Sequence, residues 1–381
     1  MSEMKNMPDG WKSTTLGEIA KVQTGPFGSQ LKNDQYITGG TPVITVEHIV
    51  DFRIKDFDYP SVTDEDKQRL SKYLLKTGDI VFTRVGSVDL SAYVNEKQNG
   101  WMFSSRMLSV RSYDKVNSRF LSYYFRQKSY RNYILKIAVG ATMPSINTGI
   151  LKELPVAFPQ LTEQKSIADI LSAFDNKIEL LQSQNKTLEE TAQTIYAEWF
   201  GKYSIDNELP NSWRVGKLGD IIEIKYGKDH KHLKDGNFPL YGSGGIMRFV
   251  EKPLYEKESI LIPRKGTLSN LFYLSQPFWS VDTMFYSKIF KSHFGRFTFL
   301  FLKTIDLSAM NVGSAVPSLT TQVLNQIPII IPTDEIVMKF NNVVNTFYQK
   351  LESNNLQIQT LTKTRDELIP RLMSGALRVK M

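Results

Sequence analysis

The stretch from Ile167 to Trp199 reads IADILSAFDNKIELLQSQNKTLEETAQTIYAEW. Taken in alternating steps of four and three, it yields Ile167, Leu171, Phe174, Ile178, Leu181, Asn185, Leu188, Ala192, Ile195 and Trp199. Apolar residues at that spacing line one stripe of a helix and form a coiled-coil seam. The same stripe returns 173 residues later as Phe340, Val344, Phe347, Leu351, Asn354, Ile358, Leu361, Arg365, Leu368 and Leu372. A chain that carries one seam twice can lay the two helices on each other. Each helix reaches about 50 Å at about 1.5 Å per residue, so whatever hangs on the ends is held at a set separation.

The polar residues of the stripes set a register. With Leu171 as an a position, Asn185 is the strongly polar a residue of the first helix, and in the second Asn354 falls at d and Arg365 at a. An antiparallel pair layers a against d. Setting Asn185 against Asn354 puts Ile178 on Leu361, Leu181 on Ile358, Leu188 on Leu351, Ala192 on Phe347, Phe174 on Arg365 and Trp199 on Phe340. A small residue then faces a large one at Ala192, and a buried Asn fixes register at some cost in stability. Exchanging the repeats maps this register onto itself, which implies a pseudo-twofold axis. A stripe this long exceeds what one small domain covers, which favours pairing over separate packing.

Outside the stripes the repeat continues. Gly10-Trp11-Lys12 and Leu16-Gly17-Glu18-Ile19 return as Ser212-Trp213-Arg214 and Leu218-Gly219-Asp220-Ile221 at an offset of 202, with Gly25 matching Gly227. Ile80-Val81-Phe82-Thr83-Arg84-Val85-Gly86 resembles Ile260-Leu261-Ile262-Pro263-Arg264-Lys265-Gly266 at an offset of 180. Gly140-Ala141-Thr142-Met143-Pro144-Ser145-Ile146 matches Gly313-Ser314-Ala315-Val316-Pro317-Ser318-Leu319 at 173, as Pro155 and Pro159 match Pro328 and Pro332. The offset shrinks and then holds, so the second half lacks about twenty residues found between Gly25 and Ile80. A period this long means two domain-sized copies and not a solenoid. Shared ends are scaffold, and differing interiors are where the copies do different jobs.

Coarse patterns place elements inside each copy. Residues 80–84 and 259–263 read as short strands, with 41–46 and 107–111 similar. Residues 118–137 read as one basic, amphipathic helix whose counterpart, 294–310, is aromatic. Pro155 and Pro159 bracket a strand, Thr162 is a plausible N-cap for the first long helix, and Gly201 and Gly375 end the two long helices. The fold expected is α+β, with two repeated α/β domains joined by two long helices in an antiparallel coiled coil. Its boundaries are 1–160, 161–201 for the first helix, 202–333, and 334–381 for the second.

Composition narrows the function. The 381 residues carry a net charge of +8, from 47 Lys and Arg against 39 Asp and Glu, which favours an anionic partner. There is no cysteine, so disulfides and thiolate metal sites are excluded and a reducing compartment is expected. No apolar run approaches the roughly 20 residues of a membrane span, and no signal core opens the chain. A cytoplasmic protein with no membrane role is the expectation.

Catalytic patterns are missing. Gly242-Ser243-Gly244-Gly245 lacks the Lys of a nucleotide loop and reads as a turn. No Asn-Pro-Pro-aromatic run is present to hold a flipped base. His48, His230, His232 and His293 form no ligand pattern, so no metal site is expected. Asp64-Glu65-Asp66-Lys67 offers a competing nuclease reading, against the simpler one of an acidic loop. A scaffold without DNA affinity is the other competing class.

The DNA-contact candidates lie at loops. Arg84 and Arg264 follow a strand at equivalent places and precede Gly86 and Gly266, where an Arg on a loop leaving a sheet reaches a groove edge. Lys265 adjoins the second. Lys228, His230 and Lys231 form a basic loop after Gly227, while Gly25-Pro26-Phe27-Gly28-Ser29-Gln30 occupies the matching place in the first copy, so Phe27 and Ser29 are candidates there. Ser104, Ser105 and Arg106, with Ser280, Val281 and Asp282 opposite, complete the set.

The doubled Trp11–Ile19 and Trp213–Ile221 starts, the doubled Gly-x-x-x-Pro-Ser motifs leading to strand, Pro and long helix, and the Arg371-Leu372-Met373-Ser374-Gly375 ending resemble the specificity subunit of type I restriction–modification systems. The resemblance covers nearly the whole chain. It implies two target recognition domains, each reading half of a split double-stranded DNA sequence, separated by a helical spacer. With half-sites about one turn apart, roughly 34–36 Å, both domains would face one side of the duplex. It further implies two modification (methyltransferase) subunits carrying S-adenosylmethionine and restriction (motor-nuclease) subunits using ATP and Mg²⁺, with no cofactor and no catalysis on this chain. A specificity subunit of a related methylation-based defence system shares the same physics.

Overall fold

The computed structural model describes residues 7–140, 142–310 and 318–379. Ala141 of the first Gly-x-x-x-Pro-Ser motif and Gly313 to Pro317 of the second lie outside the described residues. The chain forms two compact units: residues 1–180 with 357–381, and residues 181–356. The long helices, Leu161–Phe200 and Asp334–Met373, are each continuous and divide between the units. Each unit therefore holds the first part of one helix and the last part of the other.

In the first unit, Lys12–Thr15 pairs antiparallel with Pro155–Phe158, tying the start of the domain to the strand that feeds the long helix. A four-stranded antiparallel sheet runs in the order Ala20–Thr24, Met107–Ser112, Ile80–Thr83, Ser91–Tyr93. A smaller sheet places Thr41–Ile44 between Ser61–Val62, antiparallel, and Met102–Phe103, parallel. The second unit repeats this plan. Arg214–Lys217 pairs with Pro328–Ile331, and a four-stranded sheet orders Ile222–Tyr226, Met284–Ile289, Ser259–Pro263, Phe272–Leu274. Asp235–Gly242 lies between Gly245–Val250, antiparallel, and Trp279–Ser280, parallel. The extra residues of the first half build a ribbon, Ile49–Val50 with Arg53–Ile54, and a short helix, Asp64–Arg69.

Several local expectations are corrected. Residues 118–137 form two helices, Ser118–Arg126 and Lys128–Ile137, because Gln127 turns extended and its side-chain amide donates to the Tyr124 carbonyl. The break lets both pieces bury aromatics, Phe120, Tyr123 and Phe125 in the first and Tyr130 in the second. The aromatic counterpart is helical over Phe294–Lys303 and ends in a separate 3-10 turn, Leu307–Met310. The first long helix starts at Leu161, so Thr162 lies inside its first turn and is not the cap. Asp64-Glu65-Asp66 is no loop: it opens a helix whose N-cap, Thr63, accepts from the Asp66 N–H, while the Asp66 carboxylate takes Arg69 and Gln35.

In the second unit the seams meet in the expected register. There Asn354 is 1% exposed and donates to Asn185 Oδ1 at 2.8 Å and Gln184 Oε1 at 2.9 Å; Asn185 donates to Asn355 at 2.8 Å. Trp199 and Phe340 rings lie 5.8 Å apart, so the two segments run antiparallel. Leu188, Phe347 and Leu351 share one apolar cluster with Ala192, and Leu181 is buried. In the first unit, Ile167 and Leu171 pack in one core with Ile369 and Leu372; Ile178 is buried, and Phe174, Ile358 and Leu361 are half-buried.

The polar position Arg365 finds a partner there in Asp175, one residue beyond Phe174. Asp175 accepts from Arg365 at 2.6 Å, Arg126 at 2.8 Å and the Tyr123 hydroxyl at 2.8 Å, and Arg53 donates to its backbone carbonyl at 3.0 Å. One buried carboxylate thus joins both long helices to the core helix and to the ribbon built from the extra residues of the first half.

Candidate nucleic-acid interface

Both candidate arginines are placed by one backbone arrangement. Strand Ile80–Thr83 is fully buried, and the chain leaves it at Arg84, whose N–H donates to the Arg106 carbonyl at 2.8 Å. The Arg84 carbonyl accepts from Ile146 N–H at 3.0 Å, and Val85 bridges Ser145. Arg264 leaves Ser259–Pro263 in the same way: its N–H donates to Thr283 at 2.9 Å, its carbonyl accepts from Leu319 at 3.0 Å, and Lys265 bridges Ser318. Two motifs that recur at different offsets in the sequence therefore meet, once per unit. Gly86 and Gly266 follow at φ +82° and +87°, where a side chain is strained.

The guanidinium groups match as closely. Arg84 Nη1 donates to the Ser105 carbonyl and Arg264 Nη1 to the Asp282 carbonyl, both at 3.2 Å. Arg84 lies over the Phe27 ring and Arg264 over the Tyr226 ring, each 5.3 Å from the centroid. Both rings are about half exposed, at 47% and 50%. Phe27 comes two residues after Gly25, whereas Tyr226 precedes Gly227. Sequence alignment hides this equivalence, and Tyr226 was not among the expected residues. Its signal was an aromatic closing a strand beside the basic loop.

Gly25 and Gly227 are spatial twins. A Cβ at Gly25 would sit 2.1 Å from the Ser104 carbonyl oxygen, and one at Gly227 would sit 2.0 Å from that of Val281. No side chain fits either place. This contact also corrects the pairing of the opposite strands. Ser104, Ser105 and Arg106 are equivalent to Val281, Asp282 and Thr283 in the repeat, one residue later than the sequence comparison set them. Ser104 is buried, Ser105 half-buried and Arg106 exposed.

The two loops that follow the glycines differ in chemistry but are both pinned by a buried leucine, Leu31 and Leu233. In the first unit, the Phe27 carbonyl accepts from Gln30 N–H at 2.7 Å, and Gln30 Oε1 accepts from the Tyr73 hydroxyl at 2.6 Å; Ser29 is left exposed. In the second, Lys228 is exposed with its N–H on Ser280 O at 2.9 Å and its carbonyl taken by Trp279 Nε1 at 3.0 Å. Lys231 is exposed and His230 half-buried, with the His230 carbonyl held by Arg248 at 2.8 Å.

Gly242–Gly245 forms the turn of a hairpin, as read from the sequence. Asn270 donates to the Ser243 carbonyl at 2.9 Å, and Ser243 packs against Gly266, so this turn is clamped to the Arg264 loop. The hairpin's outer strand exposes Ile246, Met247 and Phe249, none of which the sequence singled out. Among the described residues no group of three or more His, Asp or Glu side chains is arranged for a metal, and no helix is long and apolar enough to cross a membrane.

These features define a class: a duplicated binding protein whose two sheets present differing loops around one repeated arginine–aromatic pair, framed by long helices. The chain belongs to the type I restriction modification DNA specificity domain family, whose profile matches residues 8–190 and 210–363. It is 26% identical to the type I restriction enzyme MjaIX specificity subunit of Methanocaldococcus jannaschii, over 100% of this chain and 96% of that protein. The HindI specificity subunit of Haemophilus influenzae is 21% identical over 96% of this chain and 99% of its own length. The crystal structure of the type I restriction–modification S subunit from M. genitalium has the same fold, with a TM-score of 0.63 over 99% of this chain and 98% of that one at 21% identity.

Proposed function

We propose that this chain supplies the address of a type I restriction–modification complex: each unit reads one half of a bipartite double-stranded DNA target. The observation that carries this is the repeated constellation of Arg84, Phe27 and Gly25 in one unit and Arg264, Tyr226 and Gly227 in the other. A duplicated frame with unlike loops suits one target made of two unlike halves. The net charge of +8 gives the attraction to phosphate that precedes sequence reading.

Chemistry belongs to partners in this reading. Two modification subunits carry S-adenosylmethionine and methylate adenine, and motor-nuclease subunits use ATP and Mg²⁺. The chain's own glycine-rich turn does not fit a nucleotide phosphate, because Gly242–Gly245 joins two antiparallel strands and no helix N-terminus follows it. The test is methylation mapping in a host that expresses this chain with its modification subunits. Two short specified halves with an unspecified gap are expected; a single continuous motif counts against the reading.

A further inference from the structure

We infer that Arg84 and Arg264 hold backbone phosphates, one in each half-target, and leave base reading to the loops beside them; the inference rests on the DNA-reading function proposed above. Most arginines of the chain have a carboxylate partner: Arg53, Arg126 and Arg365 share Asp175, Arg111 takes Asp79, Arg131 takes Asp89, Arg214 takes Asp220 and Arg248 takes Asp235. Among the described residues, Arg84 and Arg264 have none within ion-pair distance although both are half-buried; of the others without one, Arg106 and Arg371 are exposed and Arg119 donates to Asn95 and lies over the Tyr93 ring. A guanidinium drawn partly out of water without a counter-ion is costly until an anion arrives.

At Arg84 the geometry disfavours a side-on reading of a base edge. Reading guanine takes two parallel donors of the guanidinium fork. Each arginine already gives Nη1 to a carbonyl and one face to an aromatic ring, and Arg84 Nε is buried without a partner. At Arg84 this closes the Nε–Nη2 edge and leaves the Nη end, which can meet a phosphate; at Arg264 that edge stays open, and the assignment there follows from its equivalence to Arg84.

The repetition points the same way. The loops beside the arginines differ, Gly25–Gln30 against Gly227–His232, whereas the arginine, the carbonyl it donates to and the glycine that follows recur in both units, each arginine under an aromatic ring, Phe27 in one and Tyr226 in the other. Two half-targets differ in bases but present the same phosphodiester backbone. A device kept in both readers contacts what both halves share.

The experiment uses the full chain assembled with its modification subunits and measures binding to a cognate and a scrambled duplex across a range of salt. Arg84→Gln and Arg264→Gln are each expected to weaken both duplexes by a similar factor and to lower the slope of log K against log salt by about one. Arg84→Lys and Arg264→Lys are expected to restore the slope, and the methylated motif is expected to stay unchanged in all four variants. An altered base in the motif, a loss of discrimination between the two duplexes, or an unchanged slope would overturn the assignment. If the unaltered assembly binds neither duplex, the DNA-reading function itself fails, which is a separate result.

Discussion

At the scale of single residues, Asp175 decides how the first unit holds together. Burial pushes its carboxyl up, but Arg126, Arg365 and Tyr123 outweigh burial and hold it well below the usual carboxylate range. Its folded value thus lies below the unfolded one of about 3.9. The stabilisation is complete above that value and is lost as pH falls through and below it. Asp175→Asn should cost about 3–5 kcal/mol at neutral pH, because three guanidinium groups lose their shared anion. The urea midpoint of the unaltered chain should fall between about pH 5 and pH 2, and that of the variant should fall less. An unchanged midpoint at pH 7 in the variant would remove Asp175 from this role. Arg365 stood out in the sequence as a charged residue on an apolar stripe. Asp175 did not, because it lies one place off the stripe and its three arginines come from distant segments. Tyr226 was missed for a similar reason: its partner ring in the other copy, Phe27, stands at a different distance from the shared glycine.

At the scale of elements, the long helices were the most legible part of the chain. A stripe sustained from Ile167 to Trp199, and again from Phe340 to Leu372, leaves little room for another reading, and its few polar members fixed the register down to Asn185 on Asn354. The helix break at Gln127 was illegible, since both sides carry helix-forming residues and only the demand to bury two sets of aromatics separates them. The Asn pair should act as a register pin. Asn354→Ala should destabilise the chain by about 1–2 kcal/mol, because it strands polar groups in the seam. Replacing both Asn185 and Asn354 by Leu should raise the thermal midpoint and loosen the register. The natural absence of cysteine makes this readable: Cys at 188 and 351 should form one disulfide in the parent chain. In the double-Leu background, Cys at 188 should also crosslink to Cys at 347 or 355. A single crosslink in both backgrounds would show that packing elsewhere sets the register.

At the scale of the whole molecule, function follows from unequal treatment of the two copies. The repeat spared the strand that feeds each long helix, the glycine that meets the opposite strand and the arginine loop, and it changed what lies between. That contrast was visible in the sequence as a shrinking offset, so the position of the differing surface was legible. Its chemistry was only partly so, because the ribbon, the clamped hairpin and its exposed Ile246, Met247 and Phe249 arise from pairings between segments far apart in the chain. If bases are read by the differing loops, each half of the target answers to one loop alone. Replacing Lys228, His230 and Lys231 by Ala leaves Gly227, Arg264 and Tyr226 in place, along with every residue of the first unit. Such a variant, expressed with its modification subunits, should lose or relax the specified bases of one half of the methylated motif. The other half and the length of the gap should stay as they were. Mapping the methylated positions decides it: changes in both halves would mean that the units do not read independently, and no change in either would take the basic loop out of recognition.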